Sequence, residues 1–214
     1  MLRRLALVFA LLGPPASPAV AAPLEAAIVA GGCFWCVESD FRRVEGVADV
    51  RVGFTGGSTP DPVYADVARG RTDHLEAALI TFDPAVISYA RILHLFLRSI
   101  DVFDDGGQFC DRGAHYATAI FATVDQRAQA EAAVAEAEAD LGAAIVTPVR
   151  DATAFYEADD FHQNYANSTE RTMTRFGWVE RRAAYKRYRE ACGRDRRVRE
   201  VWGDAAAFAP EGAS

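Results

Sequence analysis

The chain has no excess of positive charge: 23 Lys and Arg stand against 30 Asp and Glu, for a net charge of -7 over 214 residues. Nucleic-acid backbones bind basic surfaces, so the charge argues against a nucleic-acid partner. Cysteine is also scarce, with four in all, too few for a small domain held by disulfides. Four are enough for a redox couple, a metal site or two bridges. The apolar run near the start, Leu5 to Leu12, is far shorter than the about 20 residues a bilayer span requires. No internal repeat or low-complexity linker divides the sequence. What is present is ordinary for a globular chain, 50% hydrophobic and 25% charged, and the length fits one domain with a little to spare.

That surplus lies at the start. Arg3 and Arg4 precede the apolar run, and small residues end at Ala19-Val20-Ala21. Positive start, apolar middle and small-residue end are the three parts of a secretory signal. Residues 1–21 are therefore expected to be an export signal, and residues 22–214 a single mature domain. In a bacterium the mature protein would be periplasmic, where thiols tend to be oxidised and reversible cysteine chemistry needs a dedicated reductant.

Along the mature chain, strands and helices alternate. Leu24 to Ala30 and Val47 to Phe54 read as strands on either side of a helix over Cys33 to Arg43. Leu75 to Phe82 is a further apolar run, and Ser88 is placed to cap a helix carrying Ile92, Leu93, Phe96 and Ile100. Tyr116 to Thr123 is strand-like. Asp125 is expected to cap an alanine-rich helix ending near Gly142, and Glu170 to Glu190 reads as a basic helix before the tail. The pattern is a mixed α/β domain.

Gly31-Gly32-Cys33 at a helix start gives a first chemical centre. Free backbone N–H groups and the helix dipole favour negative charge there, so the Cys33 thiol is expected to be shifted down and made nucleophilic. Cys36 follows one helical turn later on the same side, close enough for a disulfide. By itself this pair leaves alternatives open. A thioredoxin-like dithiol would carry tryptophan before the pair and glycine-proline within it, whereas Phe34 and Trp35 fill the gap here. A zinc-stabilised binding module would use Cys33, Cys36, Cys110 and Cys192, but structural zinc favours two close pairs and the second two are far apart.

The neighbouring residues narrow the choice. Gly32-Cys33-Phe34-Trp35, with Glu38 behind it, is followed by Gly53-Phe54-Thr55-Gly56-Gly57, Asp61-Pro62-Val63-Tyr64 and His74-Leu75-Glu76. Then come Gly107-Gln108-Phe109-Cys110-Asp111-Arg112-Gly113, Tyr116 and Asp160-Phe161-His162-Gln163. In this order the motifs resemble the peptide methionine sulfoxide reductase A family over about Ala30 to Gly203. The resemblance implies a two-layer α/β (α+β) sandwich with a mixed sheet, related to the ferredoxin-like plait, and reduction of methionine-S-sulfoxide, free or in proteins.

Under that resemblance Cys33 is the nucleophile that becomes a sulfenic acid, and Glu76 is the acid. Tyr64 and Tyr116 bind the sulfoxide oxygen, Asp111 helps position the substrate, Phe34 and Trp35 wall the methyl pocket, and His162 stands behind them. Donating a proton at neutral pH requires a raised Glu76 pKa, which burial supplies. Asp73 and Leu75 depart from the family pattern and imply a narrower, more acidic approach to Glu76. Ala117 stands where an arginine is usual. Cys36 is the first choice to resolve the sulfenic acid. Cys192, read as lying on a tail beyond the last helix, is the second; Cys110 or an external thiol follows. Cys110 and Cys192 are alternatively a structural bridge. Thioredoxin or a thioredoxin-like protein is implied as electron donor, with no bound cofactor or metal and a monomeric chain free of the membrane once the signal is cut.

Overall fold

A computed structural model describes residues 23–210; the expected signal, residues 1–21, lies outside the described residues. The elements in chain order are β1 (Glu25–Gly31), α1 (Phe34–Phe41), β2 (Val47–Thr55), α2 (Tyr64–Val67), β3 (Leu75–Phe82), α3 (Tyr89–Leu97), β4 (Gly107–Gln108) and β5 (Asp111–Arg112). There follow β6 (Thr118–Ala122), α4 (Arg127–Leu141), β7 (Val149–Asp151), β8 (Tyr156–Glu157), β9 (Arg171–Thr174), β10 (Gly177–Glu180), α5 (Arg181–Ala191) and α6 (Arg194–Trp202). Six strands form one sheet in the order β7-β6-β1-β3-β2-β8. Its neighbours are antiparallel, except β6 and β7, which are parallel.

The two-residue period of the strands separates the sheet's faces. Ala27 and Val29 of β1, Val50 of β2 and Ala78, Ile80 and Phe82 of β3 join one cluster with α1, α3 and α4. Ala30, Leu75, Ala77, Ala119 and Phe121 form a second, smaller cluster. Glu76 alternates with Leu75 and Ala77, so it points to the helix side, and only 2% of it is exposed. Gly31 is glycine because α3 lies directly above it: a Cβ there would sit 2.9 Å from the Phe96 ring. Ala130, Ala133 and Ala137 give α4 a small buried face that lets its backbone approach the sheet.

Helix boundaries follow local chemistry. Ser88 caps α3 by accepting the Arg91 N–H at 3.2 Å, and Gly142 closes α4 in the left-handed conformation. Asp125 does not cap α4, contrary to expectation. Thr123 and Gln126 do the work reciprocally: the Thr123 hydroxyl accepts the Gln126 N–H at 3.3 Å and the Gln126 side chain accepts the Thr123 N–H at 3.2 Å. The expected helix from Glu170 to Glu190 is also corrected. Residues 171–180 form a hairpin about Arg175 and Phe176, with Gly177 at φ 88° supplying the turn, and the helix starts at Arg181. Beyond Cys192 there is a second helix, α6, anchored by buried Val198 and Trp202, so Cys192 lies between two helices and not on a tail.

Candidate active site

Gly32, at φ 77°, turns the chain from β1 into α1. A Cβ at Gly32 would come within 2.5 Å of Gln108, so β4 backs the turn at the closest distance. Gln108 is held there by bonds from the Asp101 N–H at 2.9 Å and to the Asp101 carbonyl at 2.8 Å. Cys33 occupies the N-cap position of α1. The next residue's N–H, on Phe34, donates to Glu76 Oε2 at 3.1 Å. One hydrogen bond thus ties the expected acid on β3 to the helix turn that carries the expected nucleophile.

Burial pushes the Glu76 carboxyl up to about 8, helped by Asp111 and Cys36 and opposed by the Phe34 N–H. A carboxylic acid shifted this far is protonated at neutral pH and has a proton to give. Tyr64, at the start of α2, is pushed up to about 12 by burial and by Glu76 and Cys33. Tyr116 is raised by burial and by Glu76, Cys33, Tyr64 and Asp111. Both phenols therefore remain O–H donors around Glu76. Asp111, raised to about 6 by burial and held down by Arg194 and Arg175, accepts a hydrogen bond from the Tyr188 hydroxyl. Cys33, Glu76, Tyr64, Tyr116 and Asp111 are brought together from five separate segments.

The expected downward shift at Cys33 is corrected. The Cys33 thiol is hydrogen-bonded to Cys36, buried, and faced by Glu76 and Asp111, and these together raise it well above its ordinary value. Cys36 takes the opposite direction, down to about 7, through the bond from Cys33 with Arg194 and Arg189 behind it. Of the two, Cys36 is the one drawn toward the thiolate: at Cys36 the hydrogen bond from Cys33 and the charges of Arg194 and Arg189 outweigh burial and Asp40, while nothing offsets burial at Cys33. Both sulfurs are free. Cys192, the second choice for the resolving role, is instead in a disulfide with Cys110. That is the bridge alternative for these two.

An aromatic group surrounds Cys33. Trp35 stacks on Tyr165 with centroids 3.8 Å apart, and His162 packs against Tyr64 at 4.1 Å and Phe34 at 5.4 Å. Burial lowers His162 to about 4, which makes it a neutral ring of the wall. Phe34 is only 1% exposed, packed with Val52, Phe54, Val67 and Ala158; it is a core ring supporting Tyr64 and His162. Trp35 also lines an apolar cavity of about 320 Å³, together with Tyr165, Phe176, Tyr185 and Tyr188 among others.

Asp73, expected to make the approach to Glu76 more acidic, accepts the Ser58 N–H at 2.8 Å and its hydroxyl at 3.0 Å. Glu38 has an anchoring role: it accepts the Asn164 N–H at 2.7 Å and so fixes the segment carrying His162 and Tyr165 over α1. Sequence reasoning missed Tyr165, Tyr185, Tyr188, Arg189 and Arg194. Tyr165 sits three residues after His162, and Tyr185, Tyr188, Arg189 and Cys192 follow a helical period, signals that mark a face without saying what it covers.

The peptide methionine sulfoxide reductase family profile matches residues 25–197. The chain belongs to this family. It is 45% identical to peptide methionine sulfoxide reductase MsrA 2 of Rhizobium meliloti, covering 88% of this chain and 89% of that one. With MsrA 2 of Caulobacter vibrioides it shares 42% identity over 94% of this chain and 100% of the relative. Among solved structures, reduced Mxr1 of Saccharomyces cerevisiae superposes with a TM-score of 0.63 at 27% identity, covering 67% of this chain and 84% of that one. Methionine sulfoxide reductase A of Corynebacterium diphtheriae gives 0.60 at 26% identity, over 73% and 84%. This MsrA family member is therefore an enzyme of methionine sulfoxide reduction, with a mixed α/β fold around a central mixed sheet. Among the described residues no group of three or more His, Cys, Asp or Glu side chains is placed to hold a metal ion.

Proposed function

We propose that Cys33 Sγ, giving up its thiol proton, attacks the sulfur of a methionine-S-sulfoxide while Glu76 protonates the sulfoxide oxygen, with the Tyr64 and Tyr116 hydroxyls donating to it. The bond between the two sulfurs and the substrate S–O bond then break as the oxygen, with its proton, passes to Cys33 Sγ; methionine leaves with its sulfur electron pair restored, Cys33 is left as a sulfenic acid, and the proton Cys33 gave up replaces the one Glu76 donated. The observation that carries this reading is the 3.1 Å bond from the Phe34 N–H to Glu76 Oε2. It sets a buried carboxyl, raised to about 8, beside the helix N-terminus that bears the nucleophile. Trp35 supports the substrate's methylthio end, and Asp111, held by Tyr188, orients the oxygen-binding phenols.

Cys36 condenses with the sulfenic acid to a Cys33–Cys36 disulfide and water. A thioredoxin-type dithiol then returns both thiols. Free Cys36 one turn from Cys33, with Cys192 already bonded to Cys110, supports Cys36 as the resolving residue. The strand order β6-β1-β3-β2 with helices on one face supports placing the core in the ferredoxin-like plait. Residues 1–21 act as an export signal, and the mature domain works as a monomer in the periplasm on oxidised proteins or free methionine sulfoxide. Neither a zinc module nor a general protein dithiol oxidoreductase is favoured: Cys110 and Cys192 are joined to each other, and the aromatic wall and buried acid suit a small sulfoxide. The test is one turnover with separated sulfoxide epimers, followed by mass spectrometry of the protein. One methionine from the S epimer and a Cys33–Cys36 bridge are expected; release from the R epimer alone would overturn the reading.

A further inference from the structure

Behind Cys36 lies a group of buried charges that the reduction of sulfoxide does not itself use. Asp40, one turn after Cys36 on α1, has no exposure. Arg189 of α5 donates to it at 2.9 Å, Arg43 at 2.9 Å, and Arg194 of α6 stands 3.7 Å away. Arg189 also pairs with Asp195 at 2.7 Å and donates to the Tyr185 hydroxyl at 3.0 Å. Tyr185 in turn packs in one cluster with Cys33 and Cys36.

Arg194 is 2% exposed. It donates to the Ser99 carbonyl at 2.8 Å and lies 4.8 Å over the Phe109 ring, yet its Nε has no hydrogen-bond partner among the described residues. The two buried guanidinium groups, of Arg189 and Arg194, thus converge on Asp40, one helical turn after Cys36 on α1. Cys36 is buried and free on the same helix, packed against the Tyr185 that Arg189 bonds. After the hydrogen bond from Cys33, the two cations lower its thiol against the opposing charge of Asp40.

We propose that Arg189 and Arg194 are positioning residues for the second half of the reaction, their buried guanidinium groups holding Cys36 as a thiolate one helical turn from the Cys33 sulfenic acid. The proposal rests on Cys36 being the resolving residue. The Cys36 thiolate attacks Cys33 Sγ, the S–S bond forms, the Cys33 S–O bond breaks, and hydroxide leaves as water with one proton from solvent. The other titratable groups facing Cys36 divide by side. Cys33 and Glu76 lie toward the substrate, and the Tyr165 and Tyr185 phenols are both raised and stay neutral near pH 7.

The experiment gives the reduced full-length protein one equivalent of a methyl sulfoxide substrate, quenches at timed intervals, and counts methionine, dimedone-trapped Cys33 and Cys33–Cys36 disulfide. Arg194→Met and Arg189→Met are compared with wild type and with Arg194→Lys. Without the cation Cys36 moves toward an ordinary thiol. On a full return it would at pH 7 lose about fifteenfold in thiolate and regain about fivefold in intrinsic nucleophilicity, so disulfide formation slows by at most about threefold. At pH 9.5 wild type and Met variants both carry the thiolate and the deficit inverts, the Met variants becoming up to about fourfold faster than wild type, and Arg194→Lys retains the wild-type rate at both pH values. A merely structural role would slow the step at both. Wild-type disulfide formation at pH 7 in the Met variants, or equal slowing at both pH values, overturns the proposal. Should Arg194→Met not fold, Arg189→Met and the pH dependence of Cys36 alkylation in the native protein decide the same point. Failure of the underlying reading is distinct: Cys36→Ser would then still be recycled by a dithiol donor.

Discussion

Cys33 and Cys36 lie one helical turn apart, both buried, with Glu76 and Asp111 on one side and Arg189 and Arg194 on the other. Cys110 and Cys192 are joined across 82 residues, at the rim of a cleft between the β4–β5 hairpin and the junction of α5 and α6. The first pair is surrounded by titratable and charged groups. The second closes a long loop, which constrains the unfolded chain far more than it affects local chemistry. The difference shows that reactivity follows the charges and hydrogen bonds around a sulfur, while a staple's contribution follows the length of chain it closes. The two pairs also meet: Phe109, next to Cys110, lies under Arg194, and Asp111 is bonded to Tyr188 one turn before Cys192.

The comparison breaks most decisively at Cys33. Cys33→Ser should reduce first-turnover methionine release by more than about a thousandfold, whereas Cys192→Ser should leave it near wild type. Equal losses in the two variants would end the division between a chemical and a structural pair. Glu76→Gln should lower the single-turnover rate by about a hundredfold. The accompanying pH effect has a definite sign. Native Glu76 keeps its proton up to about 8, against an ordinary value of 4.5, so the native state binds more protons than the unfolded state between these values. Stability therefore falls as pH rises through that window, and sulfoxide reduction falls above about pH 8. Thermal melting across pH 4.5 to 8 should show a steeper fall in wild type than in Glu76→Gln, the difference being the Glu76 contribution.

At the other pair, Cys192→Ser should lose about 2–4 kcal/mol of stability in denaturant titration and still be recycled by a dithiol donor. Loss of recycling with unchanged stability would transfer the resolving role to Cys192. The smallest effect is expected where the two regions touch. Tyr188→Phe removes one hydrogen bond to Asp111, costing about 1–2 kcal/mol and lowering kcat/KM severalfold with the disulfide intact. A negligible change in steady-state kinetics would show that Asp111 is held without it.

Much of the fold was legible along the chain because strand and helix periods are local. β3 begins and ends where the apolar run from Leu75 to Phe82 does, and Ser88 and Gly142 mark helix ends through their own backbone geometry. The hairpin at 171–180 was hidden because its residues are mostly polar and carry no alternating apolar face. In the site, Cys33, Glu76, Tyr64, Tyr116 and Asp111 were named from motifs, yet the direction of the Cys33 shift was not legible. A helix N-terminus lowers a thiol, but the hydrogen bond with Cys36 one turn on, burial, and Glu76 and Asp111 brought in from other parts of the fold outweigh it.

Sequence by itself determined the family, the alternation of elements, the Gly-Gly turn that delivers Cys33 to a helix start, and the one-turn spacing of Cys36, since each depends on adjacent residues or fixed periods. Only the tertiary structure decided that Cys192 bonds Cys110, that Glu76 faces the helices and keeps its proton, and that Arg189 and Arg194 stand behind Cys36. Partnership between distant residues, burial and the balance of charge in a low-dielectric interior arise when the sheet and helices close on each other.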